Sequence, residues 1–256
     1  MTVGDLAPLG VTAMLVLALA AVLIGFSKTA VGGVALISVA IFAAVLPSRL
    51  STGVVLPLLL VGDVVAVRTY HAHADWAALL RLIPAVALGV GLGVVFVARA
   101  DDAFMRQAIG AVLVGLVALH LVMRHRSRGR ESDPPARPPA NPWASWGFGS
   151  LAGFTTTVAN AGGPAMHLYL LNARYSVLGF LGTTSWFFFV VNLLKVPFSV
   201  GLDLITTSTL RLDLILAPGV LLGTWLGRRV IPHIQQDLFE KLVLLTTVLA
   251  GLNLLR

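Results

Sequence analysis

The charged residues Lys28, Asp63 and Lys195 lie in or directly beside long apolar stretches of this sequence. A Lys or Asp near the centre of a membrane helix costs roughly 2.5–3.5 kcal/mol on insertion scales, so it needs a partner or a water-filled cavity. Lys28 is the natural partner for Asp63, and Lys195 follows Asn192 by one helical turn on the same face. We interpret the lysines as anion ligands and Asp63 as a counter-charge or proton site. The alternative is a buried ion pair with a purely structural role.

The first polar segment reads Gly25-Phe-Ser-Lys-Thr-Ala-Val-Gly-Gly33. Glycine lets the backbone leave helical geometry, and a helix that restarts at Gly32 and Gly33 would direct its N–H groups at an anion. Ser27 and Thr29 can satisfy freed backbone groups or contact the ligand. The spacing is not that of a phosphate-binding P-loop, because the first glycine of that motif is missing. Alternatively, the lysine ends a helix and extends to the membrane interface.

A second polar segment runs from Gly153 to His167 in an otherwise apolar region. Pro164 suits the first turn of a helix that restarts there. Isolated Thr or Asn residues often only bridge membrane helices, at about 0.6 kcal/mol per contact, but so many neighbouring polar groups favour a binding site. The candidate ligands in this segment are Thr155, Thr156, Thr157, Asn160, Gly162, Gly163 and His167.

The composition shows which class of protein carries these residues. Of the 256 residues, 57% are hydrophobic and 11% charged, whereas a soluble domain has about 25% charged residues. This disfavours a soluble enzyme, a nucleic-acid-binding protein and a disordered chain. The absence of Cys excludes disulfide and thiol chemistry. No Ser/His/Asp or HExxH arrangement is present, so we expect no catalysis, no cofactor and no metal site.

Ten apolar runs predict an all-α integral membrane protein with eight to ten transmembrane helices. Two of the runs, 30–46 and 161–172, follow Gly-rich breaks and are expected to form broken or re-entrant helices. The others lie at 6–26, 51–67, 77–98, 103–123, 143–159, 176–201, 210–227 and 237–255.

A basic, Pro-rich linker at 124–142 separates two groups of five runs. Its five Arg residues place the linker in the cytoplasm by the positive-inside rule, and counting the membrane crossings back from the linker puts the N-terminus outside. The alternative, that the linker is a nucleic-acid-binding arm, is less favoured. The run at 6–26 has no basic residue before Lys28 and is expected to be a retained first helix, not a cleaved signal.

The two groups of runs resemble each other. Gly25-Phe-Ser-Lys-Thr29 parallels Gly153-Phe-Thr-Thr-Thr157, and Leu58–Asp63 parallels Phe187–Asn192. Five runs per half would make the second half enter the membrane from the opposite side. We therefore predict two inverted repeats, 1–123 and 143–256, with a site near the midplane between them. A further match has identical internal spacing: Pro84, Gly89 and Gly93 against Pro218, Gly223 and Gly227.

Several motifs resemble one branch of the sulfite exporter TauE/SafE family of membrane permeases, over about residues 20 to 255. In many members the first motif is richer in glycine than Ser27-Lys28-Thr29. The resemblance implies transport of sulfite, sulfoacetate or another organosulfur anion across the bacterial inner membrane. The motifs are Gly25–Thr29, Pro47–Gly53, Leu56–Asp63, Phe154–Asn160, Gly163-Pro164, Leu168–Leu171, Ser185–Phe189 and Asn192–Pro197.

The resulting hypothesis is a secondary transporter, an exporter of a small anion, that works by alternating access in the lipid bilayer. We expect coupling to protons or sodium, a homodimer, and no nucleic-acid partner. An anion channel of the same fold is one alternative. A membrane accessory protein that hands sulfur species to a soluble partner is another.

Overall fold

The computed structural model of the protein describes residues 10–29, 34–127, 142–163, 165–166, 169, 177–230 and 236–255. Within these ranges all the regular structure is helical. The helices are α1 (Val11–Thr29), α2 (Val34–Val45), α3 (Ser48–Tyr70), α4 (Trp76–Arg99), α5 (Asp102–Ser127), α6 (Pro142–Ala159), α7 (Val177–Gly201), α8 (Thr207–Val230) and α9 (Gln236–Leu255), with a short 3₁₀ turn at His71–His73.

Six of the described helices are long and apolar enough to cross a membrane: α1, α3, α4, α5, α7 and α8. A span needs about 20 predominantly apolar residues. The predicted all-α, multi-pass membrane fold is therefore confirmed. Helix α2 has 12 residues, which is too short to span and agrees with the prediction for 30–46. Half of the second short segment, 161–172, lies outside the described residues.

The predicted linker begins later than the charge pattern suggests. Helix α5 continues to Ser127, so the first four positions of the segment 124–142 are helical. Arginine is a good helix former, and the first proline of this segment is Pro134, so nothing at 124–127 breaks the helix. Helix α6 then begins at Pro142. Residues 128–141 and the N-terminal residues 1–9 lie outside the described ranges.

Two helix pairs pack closely, α1 with α8 and α4 with α6, and each pair runs parallel. Along α1 and α8, Gly25 meets Val220 and, one turn on, the Thr29 hydroxyl donates to the Thr224 carbonyl at 3.0 Å. Helices α4 and α6 advance together in the same way, from Gly149 beside Ala85 to Thr157 beside Gly93.

Four glycines make these close approaches possible. At each, an added Cβ would overlap a carbonyl oxygen of the facing helix, so no larger residue fits without a backbone shift. The contacts form two equivalent sets, because Gly25 matches Gly153 and Gly223 matches Gly89 in the sequence repeat. They are Gly25 on Val220, Gly153 on Val86, Gly223 on Val22 and Gly89 on Ser150.

We expect Gly89→Ala to lower the stability of the protein by about 1–3 kcal/mol, because overpacking of a tight contact costs that much. The matched control is Gly91→Ala on the same helix, where a new Cβ meets nothing within 4 Å. The control should be neutral or stabilising by about 0.5–1 kcal/mol, since alanine favours a helix over glycine. Thermal unfolding in detergent checks this, and equal midpoints for the two variants would contradict it.

Candidate functional site

The centre of the structure contains the ion pair that the sequence predicts. Lys28 lies in the last turn of α1, and its Nζ is 2.6 Å from Oδ1 of Asp63 in the middle of α3. Asp63 is completely buried, whereas the Lys28 side chain keeps 10% of its surface exposed. The same Nζ lies 4.9 Å from the ring centroid of Phe188 on α7. A carboxylate and an aromatic face therefore hold the Lys28 ammonium from two directions.

Asp63 is also bonded to its repeat mate. The Asn192 amide Nδ2 donates to Oδ2 of Asp63 at 2.7 Å, while Oδ1 is the oxygen that forms the ion pair with Lys28. The Asn192 carbonyl Oδ1 accepts from Lys195 Nζ at 3.2 Å, one turn along α7. Asn192 thus links Lys28, through the Asp63 carboxylate, to the buried Lys195.

Lys195 is surrounded by oxygen acceptors. Its Nζ donates to the Thr156 backbone carbonyl at 2.7 Å and to Oδ1 of Asn160 at 2.7 Å, in addition to Asn192. These three shortest contacts match the three protons of an ammonium group, and the Thr156 hydroxyl oxygen lies farther away, at 3.5 Å. The side chain is only 3% exposed, and such a group is stable in the membrane only when it is paired in this way.

Asn160 terminates α6 and has a backbone φ of 48°, in the left-handed region that Asn tolerates better than most residues. This turn directs its side chain toward two other helices. The amide Nδ2 donates to the Thr52 carbonyl on α3 at 3.0 Å, while Oδ1 accepts from Lys195. The helix end and the polar network are therefore formed by the same residue.

A cavity of about 80 Å³ lies beside this network and is called here the main cavity. One water molecule needs roughly 10–15 Å³ on the same measure, so several waters or a small oxyanion fit. Helices α1, α2, α3, α6 and α7 all contribute. The described lining residues are Ser27, Lys28, Ala35, Leu36, Leu59, Asp63, Ala66, Thr156, Asn160, Ala161, Gly163, Phe180, Leu181, Thr184, Ser185, Phe188 and Asn192.

The structure brings together seven of the residues singled out from the sequence. They come from both polar segments and from α3 and α7, which lie far apart in the chain. These seven are Ser27, Lys28, Asp63, Thr156, Asn160, Gly163 and Asn192.

The remaining predicted site residues lie elsewhere. Thr29 donates to the Thr224 carbonyl and Thr155 to the Leu151 carbonyl, so both hydroxyls bond to backbone oxygens. Gly162 is buried against Ala152. Two further predicted ligands, Thr157 and Lys195, line a second, smaller cavity. Gly32, Gly33 and His167 lie outside the described residues.

Sequence reasoning missed the contribution of the first half of α7. Phe188 contacts Lys28, and the Thr184 hydroxyl, buried in the wall of the main cavity, has no hydrogen-bond partner among the described residues. The signal was present in the spacing, because Thr184, Phe188 and Asn192 recur every four residues and therefore share a helix face.

The arrangement is suited to an anion. Two ammonium groups and one carboxylate leave a surplus of one positive charge in a region shielded from water. Uncharged donors are also present, since the hydroxyls of Thr156 and Thr184 line the same cavity, whereas those of Ser27 and Ser185 donate to the backbone carbonyls of Ile24 and Leu181. Within the described ranges, no group of three or more His, Cys, Asp or Glu residues is placed to hold a metal ion.

Comparison with known proteins identifies the family of the chain. No curated protein and no solved structure matches the chain. The family model "Sulfite exporter TauE/SafE" matches residues 17–254, which is nearly the whole sequence and includes every charged residue of the network. The chain therefore belongs to the sulfite exporter TauE/SafE family.

Proposed function

We propose that this protein is a secondary transporter that exports sulfite, sulfoacetate or another small organosulfur anion across the bacterial inner membrane. Family membership gives the broader assignment, since members are membrane transporters of sulfite or related anions rather than enzymes. The observation that carries the narrower proposal is the surplus positive charge of Lys28 and Lys195 over Asp63 beside a cavity of about 80 Å³.

The cavity favours oxyanions because its donors come from several directions. Lys28 lines one wall, while the hydroxyl of Thr184 and the amide of Asn192 lie on α7. A small tetrahedral or pyramidal anion presents oxygens in several directions and can accept from more than one of these groups. A cation would instead meet a net positive environment and be repelled.

Alternating access is the proposed mechanism. In an inverted-repeat transporter, one repeat or helix bundle rocks against another around a site near the midplane. The paired glycine contacts support this proposal, because α1 packs on α8 as its repeat mate α6 packs on α4. Each pair joins a helix of one half to a helix of the other. The two tight pairs can therefore move as rigid bodies relative to each other, while α3 and α7 carry the site between them.

Counterflow in proteoliposomes tests the proposal. Vesicles loaded with unlabelled sulfite should accumulate labelled sulfite from outside, and the initial rate should saturate with concentration. A carrier shows this exchange because its site is loaded alternately from each side. Flux that neither saturates nor responds to the internal anion would indicate a channel, and an absence of flux would favour an accessory protein. Either result would contradict the proposal.

We further propose that export is coupled to protons or sodium and that the protein forms a homodimer. The carboxylate of Asp63 contacts both Lys28 and Asn192, so its protonation would release one ammonium group toward the cavity. An imposed proton or sodium gradient should then change the rate of sulfite flux in the same vesicles. Cross-linking in the membrane tests the homodimer separately.

A further inference from the structure

A second cavity lies on the other side of Lys195 from the main cavity. It holds about 10 Å³, which is the space of a single water molecule. Its wall includes Thr52, Thr157, Lys195, Ser199 and Leu204. Lys195 itself is not among the residues that line the main cavity, although its partners Thr156, Asn160 and Asn192 are.

The two cavities occupy opposite ends of the same helices. On α7, residues 180–192 line the main cavity and residues 195–199 line the second. On α3, residues 59–66 line the main cavity, whereas Thr52, near the start of the helix, lines the second. The N-terminal half of α7 lies beside the other end of α3, since Gly182 contacts Tyr70 and His73. The cavities are therefore displaced from each other along the direction in which α3 and α7 cross the membrane.

The polar network around Lys195 separates these two spaces. Its ammonium group connects α7 to the end of α6 through Thr156 and Asn160, and Asn160 extends the connection to the Thr52 carbonyl on α3. These bonds cross-link three helices at the level where one cavity ends and the other begins. No other lysine is placed at this level among the described residues.

We infer that the two cavities are the two ends of one translocation route and that the Lys195 ammonium, with the three oxygens it holds, is the barrier between them. This inference rests on the proposed transport function, and it adds that the translocation route is closed at Lys195. An anion that reaches the main cavity approaches Asn192, one partner of Lys195, and can compete with the protein oxygens for the ammonium. The Lys195 ammonium would then exchange a protein oxygen for an oxygen of the anion, so the barrier would open only when an anion is present.

The test uses single-cysteine variants, because the chain contains no Cys of its own. Thr184→Cys places a thiol in the main cavity and Ser199→Cys places one in the second. Both sites lie on α7, about 22 Å apart along its axis. Each substitution replaces a side chain by one of similar size. A small, membrane-impermeant methanethiosulfonate is applied to right-side-out and to inverted vesicles.

With Lys195 present and no anion added, each thiol should react from one side only, and the two sides should differ. In the Lys195→Met background, the Ser199→Cys thiol should become reactive from the main-cavity side as well. Reaction of both thiols from the same side in the Lys195 protein would overturn the inference. So would sidedness that is unchanged in a folded Lys195→Met variant.

These outcomes do not depend on the proposed function. Labelling requires no substrate, so the thiols can show one-sided access even if the protein does not transport sulfite. Conversely, the protein can transport sulfite while the barrier lies elsewhere in the structure. If Lys195→Met fails to fold, the sidedness of the two thiols in the Lys195 protein still decides whether the route is divided between residues 184 and 199. Addition of sulfoacetate, which unlike sulfite does not cleave the methanethiosulfonate, supplies a second measurement, since it should raise the reactivity of the Ser199→Cys thiol from the main-cavity side.

Discussion

Replacement of Asp63 by leucine is expected to destabilise the protein by about 3–5 kcal/mol. The change leaves the Lys28 ammonium without its carboxylate, and removing one partner of a buried ion pair costs about that much. It also removes the acceptor of the Asn192 amide, which the structure bonds to Asp63 at 2.7 Å. Thermal or denaturant unfolding in detergent measures the loss, and a change below about 1 kcal/mol would contradict the paired geometry.

The double variant Lys28→Met/Asp63→Leu separates structure from function. Replacing a whole buried pair by apolar residues of similar size is often neutral or even stabilising, so stability should return to within about 2 kcal/mol of the original protein. Transport should not return, because the cavity has lost the ammonium that faces the anion. We expect sulfite flux at least about tenfold lower than in the original protein, equivalent to about 1.4 kcal/mol.

The single variant Lys28→Met completes a double-mutant cycle, from which the interaction energy of the pair is obtained. Normal transport in a stable double variant would show that the ion pair is only structural. That outcome would remove Lys28 and Asp63 from the proposed site, while the family assignment would stand.

Asn160→Ala is the second substitution with a large expected effect, a loss of about 3 kcal/mol or more in stability. A left-handed backbone costs alanine more than asparagine, whose short polar side chain can hydrogen-bond locally, and Asn160 has a φ of 48°. In addition, a hydrogen bond to a charged group contributes about 1.5–3 kcal/mol, and Lys195 donates to this side chain at 2.7 Å.

Asn160→Gly is the matched control for the backbone. Glycine adopts the left-handed conformation without a steric penalty, so it should be more stable than the alanine variant by about 1–2 kcal/mol. Both variants remove the acceptor of Lys195 and should reduce transport to a similar extent. Equal stability of the two variants would contradict the strained backbone, and full transport by Asn160→Gly would contradict the role of the side chain.

Much of the fold could be predicted because hydrophobic runs of membrane length leave little freedom. In a bilayer the backbone must satisfy its own hydrogen bonds, so a long apolar run becomes a helix. The bounds of α4 (Trp76–Arg99) and α7 (Val177–Gly201) differ from the predicted runs by at most a residue or so. The end of α5 was less predictable, because charge marks the membrane interface and not the end of the helix.

The pairing of Lys28 with Asp63 was also predictable, since a bilayer penalises each charge alone and the sequence offers few partners. The contributions of Thr184 and Phe188 were not, although they share a helix face with Asn192. The sequence alone does not show whether an aromatic residue in a membrane helix contacts lipid or a cation. That choice depends on which neighbour the helix face meets, here Lys28.

The sequence by itself determined that this chain is a helical membrane protein with buried charges in two similar halves, because composition, run length and the cost of charge in lipid act on each segment locally. Only the tertiary structure decided how the lysines are divided. Lys28 lines the main cavity, while Lys195 is held by three oxygens at the boundary with a second cavity. The physical reason is that this division depends on the meeting of α3, α6 and α7, which are far apart in sequence and are brought together by glycine-lined packing elsewhere.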